Sequence, residues 1–326
     1  MESAFYWKAA FRTGSIHRMC KVFVAVVLMA LASADAAPRP PEQPKSGPGG
    51  SAYLHRSVRE SEHGAGGKRF WLFEPAEPAP KSAPVVLFLH GYSALTPDPY
   101  RAWVTHIVRR GAIVIYPQYQ KDLITPPPDY TPNTIAAVRK AFEILAEPGR
   151  VAADSSRLLV VGHSAGGVGA AAYAARAQKE MLPVPLAIMP VHSGQGPENG
   201  WQMIPLDDFS TIPNRTKVAL VVGSDDKFFG TRTSRRIWEA VAHVAERRFI
   251  TVQSDSHGWP PISPGHLAPL AQDRFSSGAI DWFGYWRLFD ELLDSAISGR
   301  PFNPSLSMGK WSDGVAVKPL LIESGS

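Results

Sequence analysis

The chain has 326 residues, of which 44% are hydrophobic and 19% charged, the profile of a globular protein with an apolar core rather than of a disordered or fibrous one. Its formal charge of +5 is mild for this length, and Lys and Arg are interspersed with Asp and Glu. A nucleic-acid partner usually leaves a concentrated basic stripe, so the composition argues against that class of function.

The N-terminus has the pattern of a targeting segment. Residues 21–32, KVFVAVVLMALA, form an apolar run that begins with a lysine, and residues 34–36, ADA, follow as a cleavage site of the A-x-A type. The run is shorter than the roughly 20 residues that a membrane span needs. We therefore predict a signal peptide over residues 1–36, with translation starting at Met19, and a secreted or periplasmic protein. An uncleaved membrane anchor is the alternative.

The only cysteine, Cys20, precedes this apolar run and would leave with the signal peptide. A mature protein without cysteine has no disulfide, no thiol nucleophile and no thiolate metal site. The residues that follow the signal, 37–51, are rich in proline and glycine and poor in apolar side chains. We predict a disordered linker there.

Beyond the linker, strand patterns alternate with helical ones. An antiparallel pair comes first, and six β-branched, apolar runs typical of buried strands follow. The bounds of these eight segments are residues 51–58, 68–75, 84–90, 112–117, 157–162, 184–191, 217–223 and 247–253. The alternation predicts an α/β fold, in which helices cover both faces of a mostly parallel central sheet. We assign this domain to residues 52–298, where an amphipathic helix closes it, and the C-terminal tail to residues 299–326.

Ser164 follows the strand at 157–162 and opens an alanine-rich helical pattern, with Gly162 and Gly166 on either side. A tight strand–turn–helix needs such small neighbours and holds its serine in a strained conformation, at a cost of about 1–3 kcal/mol. The helix N-terminus behind the serine favours developing negative charge. These features indicate a nucleophile rather than a passive serine in a glycine turn.

A nucleophilic serine needs a base to take its proton, and the base needs a carboxylate to hold its tautomer. His257 follows the last predicted strand, and both Asp225 and Asp226 follow the strand before it. Ligands of parallel sheets bind at the carboxyl ends of the strands, so we expect these groups to converge on Ser164. The sequence therefore predicts a serine–aspartate–histidine order along the chain, with either aspartate as the acid.

The order of the motifs LHGYS, GHSAGG, VVGSDD and SHGW resembles the α/β-hydrolase superfamily, and the resemblance covers roughly residues 52–298. The chain looks most similar to secreted serine esterases of the dienelactone-hydrolase-like and cutinase-like kinds. The resemblance implies the α/β-hydrolase fold. It also favours Asp226 over Asp225 as the acid, because in this family the acid often stands three residues after a glycine, here Gly223.

An oxyanion hole needs two backbone N–H groups directed at the developing alkoxide. One is expected from Ala165, the residue after the nucleophile. The resemblance implies that the second comes from the residue after His90-Gly91, which is Tyr92.

Residues 192–216 stand where many relatives insert a helical lid, but the segment is short and has little helical periodicity. We therefore expect an open site without a large lid. His192, Trp201 and Trp259 are the residues that we expect at the pocket.

The remaining histidines and glycine motifs have simpler interpretations. His90, His163 and His243 are interpreted as structural supports. Neither an H-E-x-x-H motif nor a paired Cys/His cluster suggests a metal, and the glycine fragments are too short for a nucleotide loop. No cofactor is predicted.

Together these features predict an exported serine hydrolase that cleaves carboxylic esters through an acyl-enzyme. The expected partner is a small-molecule or polymer-borne ester, with no nucleic acid and no stable membrane insertion after signal cleavage. Because one fold supports many chemistries, two alternatives stay open. They are an acyltransferase or peptidase on the same triad, and a non-catalytic binding protein on a hydrolase scaffold.

Overall fold

The structure is a computed structural model that describes residues 37–270 and 277–325. The predicted signal peptide, with Met19 and Cys20, lies outside the described residues. Among the helices of the described part, none combines the length and the apolar composition that crossing a bilayer requires.

One sheet of nine strands forms the centre of the molecule. The strands are β1 (Ser57–His63), β2 (Phe70–Ala76), β3 (Ser82–Leu89), β4 (Ile113–Pro117), β5 (Ala152–His163), β6 (Ala187–Val191), β7 (Lys217–Gly223), β8 (Arg247–Val252) and β9 (Leu321–Gly325). Their order in the sheet is β1-β2-β4-β3-β5-β6-β7-β8-β9. All pairings from β4 through β8 are parallel, whereas β1, β2 and β9 form antiparallel pairs. The predicted α/β class with a mostly parallel sheet is confirmed.

Helices follow most of the parallel strands. They are α1 (Arg101–Arg109), α2 (Tyr130–Leu145), α3 (Ala165–Arg176), α4 (Arg232–Ala240) and α5 (Arg287–Ser298), with a π-helical segment at Ile280–Trp286 directly before α5. Short 3-10 turns occur at Gly66–Lys68, Asp98–Tyr100, Pro127–Asp129 and Phe209–Thr211. The last of these turns is the only helical structure within residues 192–216, the segment that was expected to lack a helical lid.

The core is divided into two layers because successive residues of a strand point to opposite faces of the sheet. In β3, Val85 and Leu87 join the apolar cluster that includes residues of α2, α3 and α4, whereas Val86 and Phe88 join the cluster that includes residues of α1 and α5. Both faces are thereby buried, which explains why the parallel strands are continuous apolar runs.

The segment predicted as a disordered linker, residues 37–51, instead packs on the domain. The Trp259 N–H donates to the Pro38 carbonyl at 2.8 Å, and the Gly49 N–H donates to Asp290 Oδ2 at 2.7 Å. The prediction was wrong because it rested on composition, whereas the backbone groups of this proline-rich stretch find partners far away in sequence.

The described part of the tail, residues 299–325, also belongs to the domain. Phe302, Met308 and Trp311 are buried in the apolar cluster that includes α1 and α5. The tail then ends as β9, which pairs antiparallel with β8. The domain therefore extends beyond the predicted bounds of 52–298 on both sides.

The four neighbouring strands β5, β6, β7 and β8 are parallel, so their carboxyl ends meet at one end of the sheet. Each of them is followed by a polar side chain that faces the others. This end of the sheet holds the candidate site.

Candidate active site

Ser164 occupies a strained turn between β5 and α3. Its backbone lies at φ +56° and ψ −117°, a conformation that non-glycine residues rarely adopt. The turn is tight enough to require glycine on both sides: a Cβ added at Gly162 would stand 2.0 Å from the Gly166 carbonyl oxygen, and one at Gly166 would stand 2.1 Å from the Leu89 carbonyl oxygen. The glycines thus let the helix approach the sheet while Ser164 projects from the turn.

The imidazole beside Ser164 is that of His266. Its Nε2 lies 2.9 Å from Ser164 Oγ, and its Nδ1 lies 2.8 Å from Asp226 Oδ2. An ionised carboxylate can only accept, so Nδ1 carries the proton and Nε2 accepts the hydrogen bond from the serine hydroxyl. This is the tautomer that a general base next to a serine requires.

The prediction that His257 stands beside Ser164 is wrong. His257 Nε2 lies 2.8 Å from Asp313 Oδ2 in the C-terminal region, at a partly exposed position. The chain doubles back after β8 because Asp255 and Ile262 exchange two backbone hydrogen bonds of 2.9 Å. His257 lies within this small hairpin, and the chain reaches Ser164 only after it, at His266.

Asp226 is the aspartate that the structure places at His266, as the resemblance implied. Its Oδ1 accepts hydrogen bonds from the N–H groups of Phe228 and Phe229 at 3.0 and 3.1 Å, and its Oδ2 accepts from His266. The alternative, Asp225, instead accepts from the Ser263 hydroxyl at 2.5 Å and is partly exposed.

The charge state of Asp226 follows from its surroundings. Burial alone would raise the pKa of Asp226, but the hydrogen bonds from His192, His266 and the Phe229 N–H hold that pKa well below its usual range. The carboxylate is therefore ionised at any pH at which the protein would work.

A cavity of about 480 Å³ opens directly over Ser164 and His266. Its wall is largely apolar and includes Ala94, Pro99, Ile204, Phe229, Leu267 and Leu270. A pocket of this size and character is typical of a small-molecule site with a few polar groups at its base.

The residues expected at the pocket lie elsewhere. His192 is fully buried, with Nδ1 3.1 Å from Asp226 Oδ2 and Nε2 2.9 Å from the Tyr285 hydroxyl. It therefore sits behind the carboxylate and not in the cavity wall. Trp201 and Trp259 are exposed and do not line the cavity, although Gln202, the neighbour of Trp201, does.

Both residues expected at the oxyanion hole, Tyr92 and Ala165, line the cavity. Within residues 37–270 and 277–325, neither backbone N–H donates to another protein group. The N–H groups of the residues on either side of Tyr92 do have partners. The Gly91 N–H donates to the Tyr100 hydroxyl at 2.8 Å, and the Ser93 N–H donates to Gln120 Oε1 at 3.1 Å. The loop thus leaves the Tyr92 N–H available while it fixes its neighbours.

His163, which was interpreted as a support, joins two loops of the site. Its Nε2–H donates to the His266 carbonyl at 2.8 Å, and its Nδ1 accepts from the Tyr100 hydroxyl at 2.7 Å. Burial lowers the pKa of His163 well below its ordinary value, so the ring is neutral. His90 and His243 contact backbone carbonyls and touch neither Ser164 nor His266.

Within the described residues, His192, Asp226 and His266 could together offer ligand atoms to an ion, because these atoms lie within 4.8 Å of one another. The donor chemistry does not suit a metal, however. Both imidazoles direct Nδ1 at the same carboxylate oxygen, so these nitrogens are protonated donors without a lone pair for an ion. The cluster is a hydrogen-bonded network.

Comparison with known proteins adds one finding. The sequence profile of the family described as Chlorophyllase matches residues 55–224, just over half of the chain. The match includes Ser164 and ends before Asp226 and His266. A search of curated proteins finds no match.

Proposed function

The chain belongs to the chlorophyllase family, whose members are ester hydrolases of the α/β-hydrolase superfamily, and from this premise we propose that it is a serine hydrolase acting through Ser164, His266 and Asp226. The observation that carries the proposal is the continuous hydrogen-bonded path from Ser164 Oγ through the His266 ring to Asp226 Oδ2. The cavity over Ser164 gives a substrate access to this path.

The proposed reaction has two halves. His266 Nε2 takes the proton of Ser164 Oγ as the oxygen attacks the ester carbonyl carbon, and the N–H groups of Tyr92 and Ala165 donate to the resulting oxyanion. His266 then protonates the leaving alcohol, and the acyl group remains on Ser164. His266 then takes a proton from a water molecule as its oxygen attacks the acyl carbon, and it returns that proton to Ser164 Oγ as the bond to the serine breaks and the acid leaves. Asp226 keeps the proton on His266 Nδ1 and stabilises the transient imidazolium.

The surroundings of the cavity favour an ester with a bulky apolar group. Four exposed apolar side chains line the cavity or belong to residues that contact its lining, and we call them the mouth residues: Tyr92, Leu123, Phe228 and Leu267. Tyr92 and Leu267 line the cavity, the Tyr92 hydroxyl donates to the Leu123 carbonyl at 2.7 Å, and the Phe228 ring lies 5.8 Å from the His266 ring. Exposed apolar side chains beside a cavity are typical of a binding site.

Export remains part of the proposal. It is supported by the apolar run and the A-x-A pattern within residues 1–36. A secreted or periplasmic enzyme would meet esters outside the cytoplasm.

The first prediction tests the catalytic residues. Ser164→Ala and His266→Ala should each lower kcat for nitrophenyl esters by about 10⁴- to 10⁶-fold, because each removes a member of a unit that acts together. His257→Ala is the matched control, since it removes a histidine that contacts Asp313 and not Ser164. We expect it to keep kcat within twofold.

Labelling with a fluorophosphonate probe is the second readout, because it requires an activated serine but no particular ester. The wild type and His257→Ala should be labelled, and the other two variants should not. Loss of activity in His257→Ala with retention in His266→Ala would contradict the proposal. A wild-type protein that neither hydrolyses any ester in a series of increasing chain length nor reacts with the probe would also refute it.

A further inference from the structure

The carboxylate of Asp226 accepts more hydrogen bonds than the one from His266 that the proposed mechanism requires. Besides His266, it accepts from His192, whose Nδ1 lies 3.1 Å from the same oxygen, Oδ2. His192 directly follows β6, which lies in the sheet between β5, the strand before Ser164, and β7, the strand before Asp226. The segments that follow four neighbouring strands therefore each contribute one side chain to a single hydrogen-bonded network.

The protonation of His192 follows from its partners. Burial raises the pKa of Tyr285 well above its ordinary value, so its hydroxyl keeps its proton and donates to His192 Nε2 at 2.9 Å. Burial also lowers the pKa of His192, which leaves a neutral ring. A neutral imidazole that accepts at Nε2 carries its proton on Nδ1 and donates it to Asp226.

The backbone of His192 has a strained conformation. Its φ is +46°, in the left-handed region that residues other than glycine rarely adopt. The His192 N–H donates to the Val221 carbonyl at 2.8 Å, which holds the strained backbone against β7. The ring contacts Asp226 and Tyr285 and does not line the cavity.

We propose that His192, oriented by Tyr285, is a positioning residue for the hydrolysis: it fixes Asp226 Oδ2 against rotation and limits how strongly that oxygen holds the His266 imidazolium. This inference rests on the proposed function. His192 does not line the cavity, and its ring hydrogen bonds go to Asp226 and Tyr285, so its hydrogen-bonded connection to His266 runs through Asp226.

Removal of this donor has two consequences. The charge on Oδ2 is no longer shared between two N–H groups, so it stabilises the His266 imidazolium more strongly, and the acidic limb of the kcat/KM profile moves to higher pH. The carboxylate also loses a restraint, which lowers kcat without a matching change in KM. The titratable groups that face Asp226 are His163, His192, His266 and Tyr285, with Asp281 beyond Tyr285.

The test compares three variants at these positions. His192→Ala removes the donor and should lower kcat about ten- to hundredfold, the range expected for one hydrogen bond to a charged group. KM should change less than threefold, and the acidic midpoint should rise. His192→Asn should restore kcat to within about threefold and return the midpoint to the wild-type value, because the Asn Nδ2 takes the place of the His Nδ1 and Asn tolerates positive φ. Tyr285→Phe should also lower kcat and raise the acidic midpoint, but by less than His192→Ala does.

His106 offers a matched control. It is an equally buried histidine whose Nδ1 lies 3.1 Å from the Tyr53 hydroxyl and whose Nε2 lies 3.0 Å from Asp290 Oδ2, so it forms a tyrosine–histidine–aspartate trio away from the site. His106→Asn should lower the melting temperature and leave the acidic midpoint unchanged. All activities are normalised to the fraction of protein that reacts with a fluorophosphonate probe.

Several results would overturn the proposal. One is a folded His192→Ala protein with wild-type kcat and midpoint; another is an equal loss of kcat in the Ala and Asn variants with no shift in midpoint, which would indicate a purely structural role. If His192→Ala does not fold, a Tyr285→Phe protein indistinguishable from wild type overturns it. The proposed function fails separately, through a wild-type protein that is inactive and not labelled.

Discussion

At the scale of single residues, one carboxylate determines how the site is arranged. Asp226 accepts four N–H donors, two from imidazoles and two from the backbone that follows it. These hydrogen bonds hold the pKa of Asp226 well below its usual range. The ionised carboxylate therefore stabilises the folded protein at pH values above the pKa of an unfolded aspartate, roughly 3.9. This stabilisation is lost as the pH falls below that value.

The second prediction therefore concerns the acid. Asp226→Asn should lower kcat about 10⁴-fold, because an amide cannot hold the His266 proton on Nδ1 in the same way as a carboxylate. The adjacent Asp225→Asn is the matched control: Asp225 contacts Ser263 and Lys227, and its loss should leave kcat within twofold. Ester hydrolysis with both variants, run side by side, measures the difference. The reverse result would identify Asp225 as the acid.

The site shows which residues a sequence can identify. Ser164 and Asp226 each stand within three residues of the end of a buried strand, so the strand pattern locates them. His266 comes 14 residues after β8 ends at Val252, beyond a hairpin that has no recognisable periodicity. The nearer His257 was therefore chosen. His192 was noticed at its strand end, but its inward direction depends on a positive φ that the residue type does not reveal.

At the scale of elements, a buried ion pair joins the antiparallel edge of the sheet to the turn before β5. Glu74 in β2 is fully buried and pairs with Arg59 of β1 and with Arg150, and it accepts from the Val151 N–H at 2.9 Å. Burial alone would raise the pKa of Glu74, but these partners lower it below its ordinary value. The pairing thus stabilises the fold above the unfolded pKa of a glutamate and loses this effect in acid.

The third prediction follows from this pair. Glu74→Gln should destabilise the protein by about 3 kcal/mol at pH 7, because it leaves the partly buried Arg150 without its carboxylate. The difference in free energy of unfolding should shrink as the pH falls towards 4. Urea denaturation at several pH values measures it. Glu62→Gln, at an exposed pair with Arg69, is the control and should cost under 1 kcal/mol.

The buried strands could be predicted from the sequence, whereas the exposed strand β9 could not. The central parallel strands are apolar runs because both of their faces are covered, and all six were recognised. β9 was missed because its residues LIESG are mostly exposed and show no apolar run. An edge strand with one solvated face depends on its partner β8 for its conformation, and that partner is about 70 residues away in sequence.

At the scale of the whole molecule, segments from both ends of the described chain stabilise the domain. Residues 37–50 contact the closing helix through Gly49 and Asp290, and the Arg39 N–H donates to the Ser312 hydroxyl at 2.9 Å. Composition suggested disorder here because proline and glycine are rare in cores. A proline has no backbone N–H and therefore needs no acceptor, however, and prolines of this stretch accept hydrogen bonds at their carbonyls, as Pro38 does from the Trp259 N–H.

The fourth prediction compares a protein that begins at Ala37 with one that begins at Ser51. The shorter chain loses the Gly49 donor to the buried Asp290 and the Pro38 acceptor for Trp259. A hydrogen bond to a charged group contributes about 1.5–3 kcal/mol, which corresponds to a loss of about 5 °C in Tm for a domain of this size. Thermal unfolding followed by circular dichroism measures the shift. Equal melting temperatures would mean that the segment is dispensable.

The antiparallel pairing of β9 with β8 also bears on solubility. Without its last residues the chain would present β8 as an open row of unpaired amides flanked by Phe249 and Ile250, a template onto which another molecule could add a strand. At the opposite margin, β1 carries Arg59, Glu60 and Glu62, charges that discourage such addition. The pairing of β9 thus covers the apolar edge of β8, and removal of β9 should promote self-association of the protein.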